Sequence, residues 1–143
     1  MSSFETEAAD GFTWRLLYTK PRAEAWVDAN LRKQGFEVLL PRVAGRSGLA
    51  PLFPRYVFAG VAAALRGESL GGTYGVQYVV QCGHAPARVP PDVIAGIRAR
   101  MDARGIVRVE RTDGGDPLFA KQRRERLAAL EKFAAAGFRV RIA

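Results

Sequence analysis

The segment 51–61 constrains the fold more than any other part of this chain. After Pro54, which breaks any preceding element, side chains alternate between the two sides of a strand, because a strand has a two-residue period. One side carries Tyr56, Phe58 and Gly60, and the other side carries Val57, Ala59 and Val61. Both sides are therefore apolar, whereas an antiparallel sheet commonly keeps one side in water. Tyr56 and Phe58 need a cover, either a helix of this chain or another molecule.

Length and composition indicate one domain with a short appendage at one end. The chain has 143 residues and is 48% hydrophobic, which suits a single core and leaves no room for two full domains. No run reaches the roughly 18 apolar residues of a membrane span, and Glu5, Glu7 and Asp10 stand where a signal peptide needs basic and apolar residues. We therefore expect a soluble, cytoplasmic protein with no membrane partner. The single cysteine, Cys82, allows neither an internal disulfide nor a cysteine metal cage.

The formal net charge of +8 favours a polyanionic partner. Residues 11–113 include 15 basic and 8 acidic side chains, whereas residues 118–143 include 7 basic and 2 acidic ones, so the end of the chain is more basic per residue. The modest charge of the larger segment fits nucleic acid that passes nearby better than a tightly held duplex. A solubilising surface is the alternative explanation.

The spacing of apolar and turn-forming residues predicts both strands and helices. Strands are predicted at 14–19, 36–41, 56–61, 76–81 and 106–109, and helices at 22–34, 62–70, 91–104 and 118–136. Residues 42–52 are predicted to form a flexible basic loop, and Gly35 and Gly105 to cap helices. This order predicts an α+β fold in which a central antiparallel β-sheet is flanked by helices, with a further C-terminal helix.

The first predicted helix has two distinct faces. Ala23, Val27 and Leu31 recur every four residues and should face the sheet. The residues of the other face, which is available to solvent or to a partner, are Trp26, Asn30, Lys33 and Gln34.

Composition divides the chain into four parts. Residues 1–10 are polar and aperiodic, which predicts a disordered tail. Residues 11–113 form the main domain, residues 114–117 a linker, and residues 118–143 a basic helix followed at 138–142 by the beginning of a strand.

Five segments, in the same order, resemble the N-terminal domain of NusG-type transcription elongation factors. They read Trp-Arg-Leu-Leu-Tyr-Thr-Lys-Pro-Arg at 14–22, Leu-Arg-Lys-Gln-Gly-Phe-Glu-Val-Leu-Leu-Pro at 31–41, Leu-Phe-Pro-Arg-Tyr-Val-Phe at 52–58, Thr-Tyr-Gly-Val at 73–76 and Val-Pro at 89–90. The resemblance covers residues 12–110, and the first and third segments look more like the specialised RfaH-like antitermination factors. It implies that residues 11–113 form an NGN-like sandwich that binds RNA polymerase.

The resemblance also implies where polymerase binds. Domains of this family sit on the clamp helices of RNA polymerase through an apolar patch, bridge to its gate loop and suppress pausing. The matching positions here are Tyr18, Tyr56, Phe58, Tyr78 and Ile94. Exposed aromatic residues suit such an interface, and the clamp helices would then cover the second face of the strand. Ordinary core packing of Tyr56 and Phe58 is the alternative.

RfaH-like members further bind the displaced non-template DNA strand. The matching positions here are Lys20, Asn30, Lys33, Gln34 and Thr73. A lysine can pair with a phosphate, and an Asn or Gln amide can bond a base edge. A solvated helix face is the alternative explanation for these residues.

Two features depart from the family pattern. Arg66, Gly67 and Glu68 match the gate-loop contact but lack the hydroxyl-rich character that the RfaH-like protein shows there. The family's C-terminal KOW domain recruits the ribosome or other factors, and we expect residues 138–142 to be the first strand of a truncated one. The alternative is that the helix 118–136 folds back over Tyr56 and Phe58, as the helical form of that domain does in autoinhibited RfaH.

An enzyme is not expected from this sequence. Cys82 and His84 are separated by one residue at a turn, with no acidic residue nearby in sequence to orient the imidazole of a catalytic pair. One His and one Cys also cannot form a conventional zinc site. Phosphate loops and dinucleotide fingerprints are missing as well. We expect no catalytic residue, no metal and no cofactor. The alternative function is a generic single-stranded nucleic-acid-binding α+β module in which Tyr56 and Phe58 stack on bases.

Overall fold

The computed structural model describes residues 11–109 and 115–137, which form a mixed α+β structure. The helices are α1 (Glu24–Lys33), α2 (Pro91–Arg100) and α3 (Arg123–Ala135). The strands are β1 (Phe12–Thr19), β2 (Glu37–Leu39), β3 (Arg42–Gly45), β4 (Gly48–Pro51), β5 (Tyr56–Ala62), β6 (Val76–Val79), β7 (Gln81–Cys82) and β8 (Ala85–Pro86). Short 3-10 turns lie at Glu68–Leu70 and Pro117–Phe119. The tail predicted at 1–10 and the strand predicted at 138–142 fall outside the described residues.

Four strands form the central antiparallel sheet that the sequence predicts, in the order β2-β5-β1-β6. β1 pairs with β5 so that Leu16 lies opposite Phe58 and Tyr18 opposite Tyr56. β6 pairs with the other edge of β1, where Tyr78 lies opposite Tyr18. β5 and β1 are therefore the two interior strands of the sheet.

The alternation predicted for β5 is confirmed, because its two sides belong to two separate hydrophobic layers. One layer consists of α1 and the sheet side that carries Val57, Ala59 and Val61. The predicted stripe lies in this layer: it consists of Val27 and Leu31 of α1 and of Ala23, at the N-cap of that helix. The other layer contains Tyr56 and Phe58 together with apolar residues of α2 and α3. The chain thus covers both sides of β5 with its own helices.

The C-terminal segment packs onto the Tyr56 side of the sheet. Asp116 accepts a hydrogen bond from Leu118 N at 3.0 Å, which caps the 3-10 turn, and Leu118 and Phe119 are buried. The chain is extended at Ala120 and Gln122 before α3 begins, so the single helix predicted from 118 is divided into a turn and a helix. In the part of the chain described, no helix has the length and hydropathy to cross a membrane.

The flexible loop predicted at 42–52 is wrong, because β3 and β4 form an antiparallel hairpin there. Gly45 pairs with Gly48 across a two-residue turn, and the φ of +113° at Gly48 favours glycine. Composition suggested a loop because most of the hairpin is exposed and carries few apolar residues. Its backbone pairing, not a hydrophobic face, defines it.

The strand predicted at 106–109 is also wrong. Only isolated bridges form, joining Ile106 to Arg42 and Val107 to Met101. Val107 N donates to Arg42 O at 2.7 Å, but β3 then turns away to pair with β4, so the ladder does not continue.

Three smaller predictions need correction. The helix predicted at 62–70 is reduced to the 3-10 turn Glu68–Leu70, because β5 runs on to Ala62. The strand predicted at 76–81 is divided between β6 and β7. Gly105 closes a turn that begins at Asp102, since α2 already ends at Arg100.

Candidate functional site

Three tyrosines form a row across β5, β1 and β6. The ring centroids of Tyr18 and Tyr56 are 5.1 Å apart, and those of Tyr18 and Tyr78 are 4.9 Å apart. Cross-strand register places these side chains side by side on one face of the sheet. Three of the five residues predicted to bind polymerase are therefore neighbours.

Arg55 packs onto the centre of this row. Its guanidinium carbon lies 4.3 Å from the centroid of the Tyr18 ring, within the range of a cation–π interaction. The same side chain donates to Thr19 O at 3.0 Å and to Gln77 Oε1 at 2.8 Å. These contacts fix a positive charge beside the aromatic row.

Exposure falls along the row from one edge of the sheet inwards. Tyr78 is 49% exposed, Tyr18 is half-buried and Tyr56 is buried. The Tyr56 hydroxyl donates to Glu131 Oε2 of α3 at 3.1 Å. Burial, followed by the negative charge of Glu131, raises the pKa of Tyr56 above its ordinary value, so this hydroxyl remains a donor.

The other two residues predicted to bind polymerase, Phe58 and Ile94, lie in the core. Both are buried in the layer that α2 and α3 cover, and Phe58 makes an edge contact with Phe53 at 6.2 Å between centroids. In this arrangement neither residue reaches the surface. The structure therefore brings the three tyrosines together and separates them from Phe58 and Ile94.

Arg126 of α3 is the polar anchor of the C-terminal segment. This buried side chain donates to Leu52 O at 3.0 Å, to Ala120 O at 2.8 Å and to Lys121 O at 2.9 Å. Burial, and then the neighbouring charge of Arg123, lowers the pKa of its guanidinium. The bond to Leu52 joins α3 to the segment immediately before β5.

The residues predicted to bind DNA divide into two groups. Lys20 and Lys33 are exposed at the surface. Thr73 is buried, where its hydroxyl donates to Ser69 O at 2.9 Å and accepts from Gln34 Nε2 at 2.8 Å. Asn30 Nδ2 donates to Tyr74 O at 3.5 Å. The two lysines can reach a ligand, whereas the three other side chains hold the loop at 73–75 against α1.

Two aromatic residues beside this group were absent from the predicted site. Trp26 is 59% exposed and Tyr74 is 73% exposed, and their rings meet edge to face with centroids 5.9 Å apart. The free face predicted for α1 included Trp26, which was the available sequence signal. Tyr74 comes from a distant loop, so periodicity could not reveal the pair.

The other residues considered in the sequence, at the gate-loop position and at Cys82 and His84, form no arrangement typical of a binding or catalytic site. Arg66 and Glu68, at the gate-loop position, form an exposed ion pair of 3.7 Å, a kind of contact that contributes little to stability. Cys82 is half-buried and His84 is exposed. Among the residues described, no cluster of His, Cys, Asp and Glu could hold a metal ion.

Comparison with known protein families gives one match. The family model described as "Transcription termination factor nusG" matches residues 12–98. No curated protein sequence matches the chain. A solved structure titled "Domain interaction in Thermotoga maritima NusG" is 21% identical, with a TM-score of 0.48, over 77% of this chain and 72% of that chain.

Proposed function

The chain belongs to the NusG family, and from that premise we propose that it binds the clamp helices of RNA polymerase and suppresses pausing or termination. Members of this family are transcription factors and not enzymes, and they act on polymerase in the cytoplasm. The function proposed here is therefore that of an elongation or antitermination factor. Selection of particular operons, as by RfaH-like factors, would be a refinement of this role.

The row of Tyr18, Tyr56 and Tyr78 is the observation that carries this proposal. A partner helix can pack apolar side chains against these rigid aromatic rings, which lose little conformational entropy on binding. Tyr78 lies at the exposed end of the row, and Arg55 packs on the neighbouring Tyr18 ring. An aromatic residue and an arginine suit the anchor of an interface. Initial contact with the clamp would occur at this end.

The docked C-terminal segment supports a second element of the proposal, which is autoinhibition. Tyr56 lies beneath α3 through its bond to Glu131, and Phe58 shares a core cluster with Leu130 and Phe133. A clamp helix can reach these residues only after α3 moves away. We therefore propose that the described arrangement is the closed state and that polymerase binds an open one.

Binding to a clamp-helix peptide tests the proposal. Tyr78→Ala should weaken binding about tenfold or more, because it removes an aromatic anchor without opening the core. Tyr74→Ala removes a tyrosine that is more exposed than Tyr78 and lies near α1, on the opposite side of the sheet, and it should leave peptide binding unchanged. Equal binding by wild type and Tyr78→Ala would contradict the proposed interface.

A chain that ends at residue 113 tests autoinhibition in the same assay. Removal of α3 should strengthen peptide binding, and circular dichroism would establish that the shortened chain remains folded. If a folded short chain binds no better than the full one, α3 does not inhibit. Phe58→Ala is a poor control here, because a cavity in the core costs about 3–5 kcal/mol by itself.

Contact with nucleic acid is the finer part of the proposed function. Lys20 and Lys33 remain candidates for phosphate contacts to the non-template strand because both are exposed. The alternative module, with bases stacked on Tyr56 and Phe58, lacks support because both rings are buried. Any stacking surface in the closed state must use other aromatic residues.

A further inference from the structure

Trp26 and Tyr74 form the most exposed aromatic pair among the described residues. Large hydrophobic side chains are normally buried, yet these two are 59% and 73% exposed and contact each other edge to face. They lie beside α1, away from the tyrosine row. Their exposure is therefore unrelated to the proposed clamp interface.

The loop that carries Tyr74 is held rigidly against α1. Gly75 has a φ of +95°, and a Cβ at this position would lie 2.8 Å from Val27 Cγ2, so only glycine allows so close an approach. Lys20 N also donates to Gly75 O at 2.9 Å. The pair is thus positioned before any ligand arrives, which lowers the entropic cost of binding.

The amides near the pair are already used. Gln34 bonds Thr73, and Asn30 bonds the carbonyl of Tyr74, so both side chains support the loop. Reading of base edges would need those donors to be released. The surface instead offers aromatic rings, which recognise the faces of bases and not their edges.

The charges around the pair suit a polyanion. Lys20, beside the loop, and Lys33, on the same helix face as Trp26, are exposed. The acidic residues of α1 are engaged elsewhere, because Asp28 pairs with Arg32 at 2.6 Å and Glu24 accepts a bond from Arg55 N at 2.6 Å. Asp28 is thus paired with a cation, and the Glu24 carboxylate is buried and bonded to a backbone amide, so neither presents an unbonded carboxylate to an approaching phosphate.

We propose that Trp26 and Tyr74 form a base-stacking platform for single-stranded nucleic acid, with Lys20 and Lys33 contacting its phosphates. A duplex hides its base faces, so the ligand must be single-stranded. Stacking tolerates any base, so the platform binds with little sequence preference. This inference deepens the nucleic-acid contact proposed above but does not depend on the clamp interface.

Tryptophan fluorescence of the full chain tests the platform directly. The chain has two tryptophans, and Trp14 is 1% exposed, so Trp26 alone can be quenched by a stacked base. Titration with a 15-residue oligothymidylate should quench this emission. An abasic strand of the same length presents the same phosphates, and it should bind at least tenfold more weakly.

Matched variants separate stacking from charge. Trp26→Leu and Tyr74→Leu should each weaken binding of a labelled oligothymidylate about five- to a hundredfold, whereas Trp26→Phe should retain most of it. Leu49→Ala, at an exposed apolar residue of the β3–β4 hairpin, should not change it. All these positions are exposed, so circular dichroism should show folded variants.

Three results would overturn the inference: equal affinity for the abasic strand, unchanged binding by both leucine variants, or no binding of either strand. The last result would make the pair a protein contact surface instead. Tyr78→Ala distinguishes this proposal from the clamp interface, since it should reduce clamp-peptide binding while oligothymidylate binding remains. Failure of one assay therefore leaves the other interpretable.

Discussion

Gly75 shows how a single residue determines the geometry of a surface. It combines a left-handed backbone with a close approach to Val27, and both requirements exclude a side chain. The sequence contains this glycine in the segment Thr-Tyr-Gly-Val, but nothing in that segment predicts which helix it contacts. The same limit applies to Gln34 and Thr73, whose bond joins residues 39 positions apart. Their residue types suggested DNA contacts, whereas their positions give them a structural role.

Replacement of Gly75 by alanine should lower the free energy of unfolding by about 2–4 kcal/mol, from strained backbone and overpacking against α1. Gly96 offers a matched control, because it lies inside α2 and an added Cβ would have no neighbour within 4 Å. Gly96→Ala should raise the same free energy by up to about 1 kcal/mol. Urea denaturation measures both values, and equal effects of the two substitutions would contradict the argument.

At the scale of elements, the sequence predicted well wherever periodicity reflects burial. β5 and α1 were predicted correctly because each carries a regular apolar pattern that packs against one layer. The β3–β4 hairpin was missed because its strands are mostly exposed and carry few apolar residues. α3 was predicted as a helix, but its docking depends on Arg126, which donates to three backbone carbonyls. Every residue has a backbone carbonyl, so residue types cannot indicate these acceptors.

Arg126→Ala should therefore weaken the docking of α3. Loss of three charge-assisted hydrogen bonds, with Leu52 O left buried, should lower the free energy of unfolding by about 2–4 kcal/mol. Arg124, two residues earlier in α3, is exposed, and Arg124→Ala should change the free energy of unfolding by less than about 0.5 kcal/mol. Thermal or urea unfolding of the two variants tests this, and a small effect of Arg126→Ala would show that apolar contacts alone hold α3.

At the scale of the whole molecule, the burial of Tyr56 makes the free energy of unfolding depend on pH in the alkaline range. Its pKa is raised in the folded protein, so above about pH 10 the unfolded chain loses a proton that the folded chain keeps. The contribution of this hydroxyl to the free energy of unfolding is fully present below that pH and decreases as the pH rises above it. For the candidate site, the sequence resemblance identified the tyrosines and left open whether the helix predicted at 118–136 folds back over Tyr56; the packed structure shows α3 docked there.

Comparison of wild type with Tyr56→Phe measures this effect. The free energy of unfolding of wild type should fall more steeply above about pH 10, by up to about 1.4 kcal/mol per pH unit, which corresponds to one proton. Because both proteins share their lysines and other tyrosines, the difference isolates Tyr56. Parallel pH profiles would mean that Tyr56 titrates normally in the folded state.

The position of β1 in the sheet has a consequence during synthesis. β1 is the first strand among the described residues, yet its two neighbours, β5 and β6, end at Ala62 and Val79. While the ribosome makes the intervening residues, both edges of β1 remain without partners, and its apolar side chains have no sheet to join. The nascent chain can complete its central pairing only once residue 79 has left the exit tunnel. Premature termination before residue 79 would therefore release an unpaired, aggregation-prone strand.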